Sequence, residues 1–398
     1  MVYRHETSID RDIGGLVDAG VGVYVHWPFC LSKCPYCGFN SHISRDIPDQ
    51  EVFAAAVESE IKYMASRTSA PRFVSSVFMG GGTPSLMAAD TVSRILSAIA
   101  KAWTMPDGIE ITLEANPNTA EVRKFRDYRI AGVNRLSLGV QALEQEALKK
   151  LGRMHSLEEA LQAIDTANSV FSDVSFDLIY ARPGQTLMSW QRELEFAMGL
   201  VTNHLSAYQL TIDPGTSYAS LYASGKLIMP SDEVSADMFD MTRSMLSQRG
   251  LPAYEISNHA VSGFESLHNL NYWRCGEYVG VGPGAHSRVN NCGQRYAIEM
   301  ERSPAKWFSL VRKAGNGLVV DEALSEIDQA RELILMGMRL TEGVNWNRHE
   351  NRFRKFINRD KYNFLIEQKL IEITPSNHMR ATESGVLVLD KIISELLD

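Results

Sequence analysis

Short apolar runs rich in β-branched residues alternate with longer stretches of helical period through the first two-thirds of this chain, and that alternation constrains its fold more than any other feature. The strand candidates are Val21–His26, Val74–Met79, Ile109–Glu114, Arg135–Val140, Val174–Tyr180 and Leu205–Thr211. Helices are expected between them near Gln50–Ser66, Asp90–Trp103, Thr119–Ala131, Ser156–Val170 and Thr186–Val201, with Asp90, Thr119 and Ser156 as N-caps. Strands joined by helices in this order lie parallel, with right-handed crossovers. Six such units are too few for a closed eight-unit barrel, which leaves an α/β fold, either a partial (β/α)6 barrel or a doubly wound sheet. Both architectures gather ligands at the C-terminal ends of the strands.

With 398 residues, at roughly 150 per domain, two or three domains are expected. Residues 1–260 contain the alternating units, a further helix at Ser231–Gln248 and a strand candidate at Ala253–Ile256. Residues 261–302 carry Gly276, Gly280, Gly282 and Gly284 and read as a connecting, ligand-facing segment. Residues 303–398 read as a smaller, mainly helical domain that ends in Glu383–Leu397, with an apolar stripe at Val386, Leu389, Ile392, Ile393 and Leu396. In it, Leu370–Thr374 and Met379–Thr382 flank Pro375–Asn377, the pattern of a hairpin beside a helix, as in a winged-helix module.

Charge and hydropathy limit the function. Lys and Arg number 40 against 48 Asp and Glu, so the net charge of -8 offers no field to nucleic acid, and the winged-helix-like tail is expected to pack as a lid. No stretch approaches the roughly 20 apolar residues of a membrane-spanning helix. Arg4, Glu6, Asp10 and Asp12 leave no secretory signal within Met1–Asp12, so a cytoplasmic protein is expected.

Of five cysteines, Cys30, Cys34 and Cys37 fall in one Cys-x-x-x-Cys-x-x-Cys run just after a strand candidate, while Cys275 and Cys292 stand apart. Sparse, clustered cysteines point to metal or redox work rather than a disulfide framework. Three thiolates from one loop can hold a 4Fe-4S cluster and leave its fourth iron open. A zinc site would need a fourth ligand, which His26 or His42 could supply, although zinc ligands usually come in two pairs. Gly80–Gly82 would let backbone approach a ligand and expose N–H groups at a helix start, or would form an ordinary tight turn. Glu114, Gln141 and Asp177 stand at the ends of consecutive strand candidates, where side chains face a barrel mouth; singly, each could be a solvated loop residue.

Tyr24-Val-His-Trp-Pro-Phe-Cys30, the triple-cysteine loop and Gly38-Phe39 together resemble the radical S-adenosylmethionine (SAM) superfamily. The branch they resemble holds oxygen-independent coproporphyrinogen III oxidase and the HemW-type haem chaperone. The resemblance continues through Gly80-Gly-Gly-Thr83-Pro-Ser85, Glu114-Ala-Asn-Pro117, Ser137-Leu-Gly-Val-Gln141, Asp177-Leu-Ile-Tyr180, Pro183-Gly-Gln-Thr186 and His268-Asn-Leu-Asn-Tyr-Trp273, nearly the whole chain. It implies that Gly81, Gly82 and Thr83 bind the amino and carboxylate end of SAM, that Glu114, Gln141, Arg153 and Asp177 also contact SAM, and that Tyr24 lies against the adenine. It also implies one-electron cleavage of SAM to methionine and a 5'-deoxyadenosyl radical, fed by a donor such as flavodoxin or ferredoxin. Without the resemblance, Arg153 reads as a surface helix charge and Tyr24 as a core tyrosine.

Two departures set this chain apart from the oxidase. Phe39 stands where that family has a fourth cysteine, and only 29 residues precede Cys30, where the oxidase has a longer extension over its substrate. His268-Asn-Leu-Asn-Tyr272-Trp273 instead matches the chaperone branch, which makes His268 a candidate axial haem ligand, with a hydrogen-bonded core histidine as the other reading. Cys275 and Cys292 could contact haem or simply be buried apolar residues, and Arg182 could meet a propionate. The expectation is a haem chaperone that binds a 4Fe-4S cluster, SAM and haem, and passes haem to an acceptor protein. The alternative is the oxidase, which converts two propionates of coproporphyrinogen III to vinyl groups. A homodimer is possible, although no sequence signature specifies one.

Overall fold

The computed structural model describes residues 20–44, 49–68, 73–345 and 356–397; the N-terminal segment read for a signal lies outside them. β1 (Gly20–Trp27) is followed by the short β2 (Phe29–Cys30) and β3 (His42–Ile43), which pair with each other in parallel. β4 (Phe73–Gly81), β5 (Glu110–Ala115), β6 (Arg135–Gln141), β7 (Asp173–Tyr180) and β8 (His204–Gln209) then add to β1 in sequence order, all parallel. These are the six expected strands of the partial barrel. Val23, Val77, Leu113, Leu136 and Leu178 are fully buried along them, because helices cover the outer face and the mouth region the inner one.

The helices follow the expected spans with local differences. Ser156 caps Leu157–Val170 through a reciprocal box with Glu159, as expected. Asp90 and Thr119 are not caps: Ala88 precedes the helix Ala89–Ala102, and Asn118 caps Thr119–Val122, a separate turn from Phe125–Ala131. Ala253–Ile256 is not a strand either, since the Glu255 carboxylate accepts from the amides of Ser257 and Asn258 and folds the chain into a turn. The strand there is β9 (Asn258–Ala260), antiparallel to β8 at the sheet edge.

Residues 261–302 are more than a connection. β10 (Glu277–Val281) lies parallel to β1 on its far side, and β11 (His286–Asn291), β12 (Gln294–Met300) and β13 (Leu318–Ala323) continue antiparallel, completing an 11-stranded sheet. The glycines here answer to packing. A Cβ on Gly276 would sit 1.9 Å from Asn271 Oδ1, and one on Gly280 would sit 2.1 Å from the His286 carbonyl oxygen.

Residues just past 303 still contribute to the main core, and a second core forms after β13. The helix Pro304–Ala314 packs Trp307 into the main core beside Phe53, and buried Glu60 accepts from the amides of Gly282 and Gly317 and from the Trp307 indole. A second core of Ile334, Met338, Leu365, Met379, Ile392 and Leu396 then holds the helices Glu326–Gly337, Arg359–Glu367 and Leu389–Leu397. They pack around β14 (Val344–Asn345), β15 (Ile371–Ile373) and β16 (His378–Ala381), the last two forming the expected hairpin.

Candidate functional site

The triple-cysteine loop is clamped at its base, where β2 and β3 pair Phe29 with His42 and Cys30 with Ile43. Its body has no slack: a Cβ on Gly38 would lie 2.5 Å from Asp213 Oδ2, and one on Gly152 would lie 2.8 Å from the Pro35 ring. Thr83 donates its hydroxyl to Cys30 Sγ at 3.3 Å, and Arg153 donates to Cys34 Sγ at 3.4 Å. Burial pushes the Cys30 thiol up, the Thr83 hydrogen bond opposes that, and Cys37 and Cys34 lie near enough to add to the rise. Yet among the described residues no three His, Cys, Asp or Glu side chains come close enough to hold a single metal ion. Three thiols that share a field but not a point fit the corners of a cluster better than one zinc ion, and a donor on each of two sulfurs suits thiolates.

Beyond the loop, the strand ends converge. Gly81 has φ 115°, and a side chain there would run into the His26 ring at 2.5 Å; a Cβ on Gly82 would lie 2.7 Å from the Phe29 carbonyl oxygen. The Gly82 and Thr83 amides, expected to face a ligand, instead donate to the carbonyls of Trp27 and Phe29 and tie β4 to the cluster loop. The Gly81 amide donates to Glu114 Oε2 at 3.1 Å. Burial, then the charge of Asp177, pushes the Glu114 carboxyl up to about 7, and burial pushes Asp177 up to about 6. Gln141 follows a register break in β6 with φ 72°, a left-handed turn that re-aims the strand end. Arg153 is no surface charge: it donates to Asn116 Oδ1 at 2.5 Å and to the Gly139 carbonyl at 2.8 Å, while its buried Nε has no partner. Asn116 in turn donates to Thr83 Oγ1 at 3.2 Å, so a chain of hydrogen bonds runs from Cys34 through Arg153, Asn116 and Thr83 to Cys30. Asn116, within Glu114-Ala-Asn-Pro117, is the hinge of this chain.

Tyr24 donates its hydroxyl to His26 Nδ1 at 3.0 Å, and His26 Nε2 donates to the Asn40 carbonyl at 3.0 Å. Asn40 reaches across to the carbonyls of Pro283 and Arg302, so residues 283–302 hold the cluster loop from the other side. Between them lies a cavity of about 530 Å³, bordered by Tyr24, Gly81 and Glu114 at the strand ends, Phe39 from the loop, and Tyr272 and His286 opposite in sequence. A larger groove of about 1780 Å³, between the helix Asp232–Gln248 and the smaller unit, includes none of the predicted site residues.

His268 does not stand open to this cavity. It is 1% exposed in the helix Leu267–Trp273, its Nδ1 2.9 Å from Ser76 Oγ and its Nε2 2.9 Å from the Tyr272 hydroxyl, and its ring stacks on Phe78 at 5.2 Å. Burial holds its pKa down at about 3. Both nitrogens have protein partners, the geometry of a hydrogen-bonded core histidine. Arg182 is likewise structural: it forms a buried ion pair with Glu193 and donates to the Ile179 carbonyl at 2.9 Å, while Glu193 also caps the Leu143 amide. Burial pushes the Cys275 thiol up to about 12, and Cys292 is exposed at the turn from β11 to β12.

Two family models match the chain: the radical SAM superfamily over residues 24–197 and the HemN C-terminal domain over residues 324–388. Zebrafish radical S-adenosyl methionine domain-containing protein 1, mitochondrial, is 35% identical over all of this chain and 90% of its own length. Heme chaperone HemW of Haemophilus influenzae is 34% identical over 95% of this chain and 98% of its own. The solved structure of Escherichia coli coproporphyrinogen III oxidase superposes with a TM-score of 0.79 at 22% identity, covering 96% of this chain and 92% of the oxidase, a likeness of fold. With a sheet whose strand ends surround a three-cysteine loop, and relatives that span its full length, this chain belongs to the radical SAM superfamily, in the family that includes heme chaperone HemW.

Proposed function

We propose that this protein is a haem chaperone that carries haem to an acceptor protein, with a 4Fe-4S cluster held by Cys30, Cys34 and Cys37 beside a SAM site. The observation that carries this reading is the similarity to heme chaperone HemW along both full lengths. A cluster of this type, with one iron open to SAM, supplies a single low-potential electron to the sulfonium when bound. The chain's own residues supply the rest. Thr83 and Arg153 donate to cluster-facing sulfurs, which favours the thiolate form. Glu114 and Asp177, with carboxyls raised by burial, gain charge stabilisation from a cation such as the SAM sulfonium. Gly81 and Gly82 keep side chains out of the path between them and the cluster loop, Gln141 offers either hydrogen-bonding sense at the β6 end, and Tyr24 provides a flat face for the adenine. Electrons would come from a small carrier such as flavodoxin or ferredoxin.

The oxidase reading has less support, because Phe39, 72% exposed, occupies the position of the oxidase family's fourth cysteine. Among the described residues no helix is long and apolar enough to cross a membrane. The deciding experiment is anaerobic turnover of the reconstituted protein with SAM, a low-potential reductant and coproporphyrinogen III. The chaperone reading expects coproporphyrinogen to remain unconverted whether or not 5'-deoxyadenosine forms. Catalytic formation of protoporphyrinogen IX would replace it with the oxidase.

A further inference from the structure

Asn116, at the end of β5, joins the two side chains that donate to the cluster-loop sulfurs. Its Oδ1 accepts from Arg153 Nη2 at 2.5 Å, and its Nδ2 donates to Thr83 Oγ1 at 3.2 Å. A guanidinium has only donors, so the atom that faces Arg153 must be the amide oxygen, and the amide nitrogen is left for Thr83. A hydroxyl carries a single hydrogen. With its oxygen accepting from Asn116, Thr83 turns that hydrogen to Cys30 Sγ, 3.3 Å away. The arginine fork is rigid, so fixing one arm fixes the other. Nη2 is held by Asn116 and by the Gly139 carbonyl at 2.8 Å, which leaves Nη1 aimed at Cys34 Sγ at 3.4 Å. One carboxamide thereby sets both donors.

Asn116 is itself anchored. Its backbone amide donates to Glu121 Oε2 at 3.1 Å, and the buried Glu121 carboxylate also accepts from Ser85 and from Asn118. Pro117 behind it favours the extended backbone of a strand end. On the far side, Arg153 is brought to the loop by Gly152, where a Cβ would lie 2.8 Å from the Pro35 ring. Hydrogen bonds and positive charge beside the sulfurs of an iron-sulfur cluster stabilise its reduced, more negative form, and so raise its potential. Linked donors polarise one another, which strengthens the effect.

We propose that Asn116 is a positioning residue that raises the reduction potential of the 4Fe-4S cluster by holding Thr83 and Arg153 on the sulfurs of Cys30 and Cys34. The proposal rests on the cluster assignment made above and does not depend on the haem reading.

The test is an anaerobic redox titration of the reconstituted full chain without SAM, followed by electron paramagnetic resonance of the reduced cluster, with iron and sulfide counted in every sample. Asn116→Ala should keep the iron of wild type and shift the midpoint potential to more negative values, because both donors lose their anchor. Thr83→Val should shift it the same way by less, since Arg153 keeps its place, and Thr83→Ser, which retains the hydroxyl, should match wild type. Asn116→Ala combined with Thr83→Val should fall short of the two single shifts summed, because one hydrogen-bond chain carries both. Should Asn116→Ala fail to fold, Asn116→Ser, too short to span from Arg153 to Thr83, is expected to give the same negative shift. A folded Asn116 variant with full iron and an unchanged potential, or fully additive shifts in the double variant, would overturn the proposal and leave the cluster assignment standing. A wild-type chain that takes up no cluster would overturn both.

Discussion

The cluster loop and the helix Leu267–Trp273 both carry metal-binding residue types near one cavity, yet they differ in what their side chains have left to give. Cys30 accepts a long hydrogen bond from Thr83 and Cys34 one from Arg153, and both thiols stay partly exposed. His268, with more donor and acceptor strength, has spent both nitrogens within its own packing. The difference teaches that unused bonding capacity, rather than residue type, distinguishes a ligand from a core residue.

The comparison breaks most visibly at the cysteines. Replacing Cys30, Cys34 or Cys37 with Ala is expected to abolish the cluster, because two thiolates cannot retain it, and iron and acid-labile sulfide should fall to background. Full iron in any one variant would mean that these sulfurs are not the ligands. Next in size is His268→Ala, which leaves a cavity and strands Ser76 and Tyr272. A loss of about 3 kcal/mol in urea unfolding is expected, with the Soret spectrum of bound haem unchanged. A folded variant whose bound-haem Soret band shifts or is lost would make His268 a haem ligand and erase that contrast.

Titration sharpens the same contrast at the strand ends. Burial raises the carboxyls of Glu114 and Asp177 in the folded state to about 7 and about 6, well above the ordinary carboxylate range. The native state therefore binds protons more tightly than the unfolded one. Their contribution to stability is full below about pH 4 and is lost as pH rises through 6 and 7, on the order of 2 kcal/mol per carboxyl. Urea midpoints of SAM-free protein should thus fall between pH 5 and 8, and Glu114→Gln with Asp177→Asn should flatten the profile. An unchanged slope in that pair would locate the titration elsewhere. The smallest effect is expected from Phe39→Cys: the ring is exposed, so stability should move by less than about 0.5 kcal/mol, and no protoporphyrinogen IX should appear. Decarboxylation gained by this one change would place the protein a single residue from the oxidase.

Much of this was legible in the sequence because it is local. The six parallel strands follow from alternating apolar runs, and the cluster loop from spacing within eight residues, Cys30 to Cys37. The Ser156 cap follows from Glu159 three residues on. Even the fate of His268 had a local sign, since Tyr272 one helical turn later stands on the same face, where i and i+4 side chains meet. What failed depended on distant partners. β10 reads as a loop because Gly276 and Gly280 weaken its strand pattern, and only the approach of Asn271 and the His286 backbone explains them. The tie of Trp307 and Gly317 to the main core through Glu60, 247 and 257 residues earlier in the chain, leaves no local sign. Asn116 gave no signal: it matters through neighbours that only the folded sheet brings close.

Haem retention and delivery by the cluster-loaded protein test the central claim most directly. The full chain is reconstituted anaerobically, loaded with haem, passed through gel filtration and mixed with a haem-free b-type haemoprotein. The account predicts equimolar haem co-eluting with the chain and then moving to the acceptor. Haem that elutes free of the chain, or that stays bound while the acceptor remains empty, would contradict it.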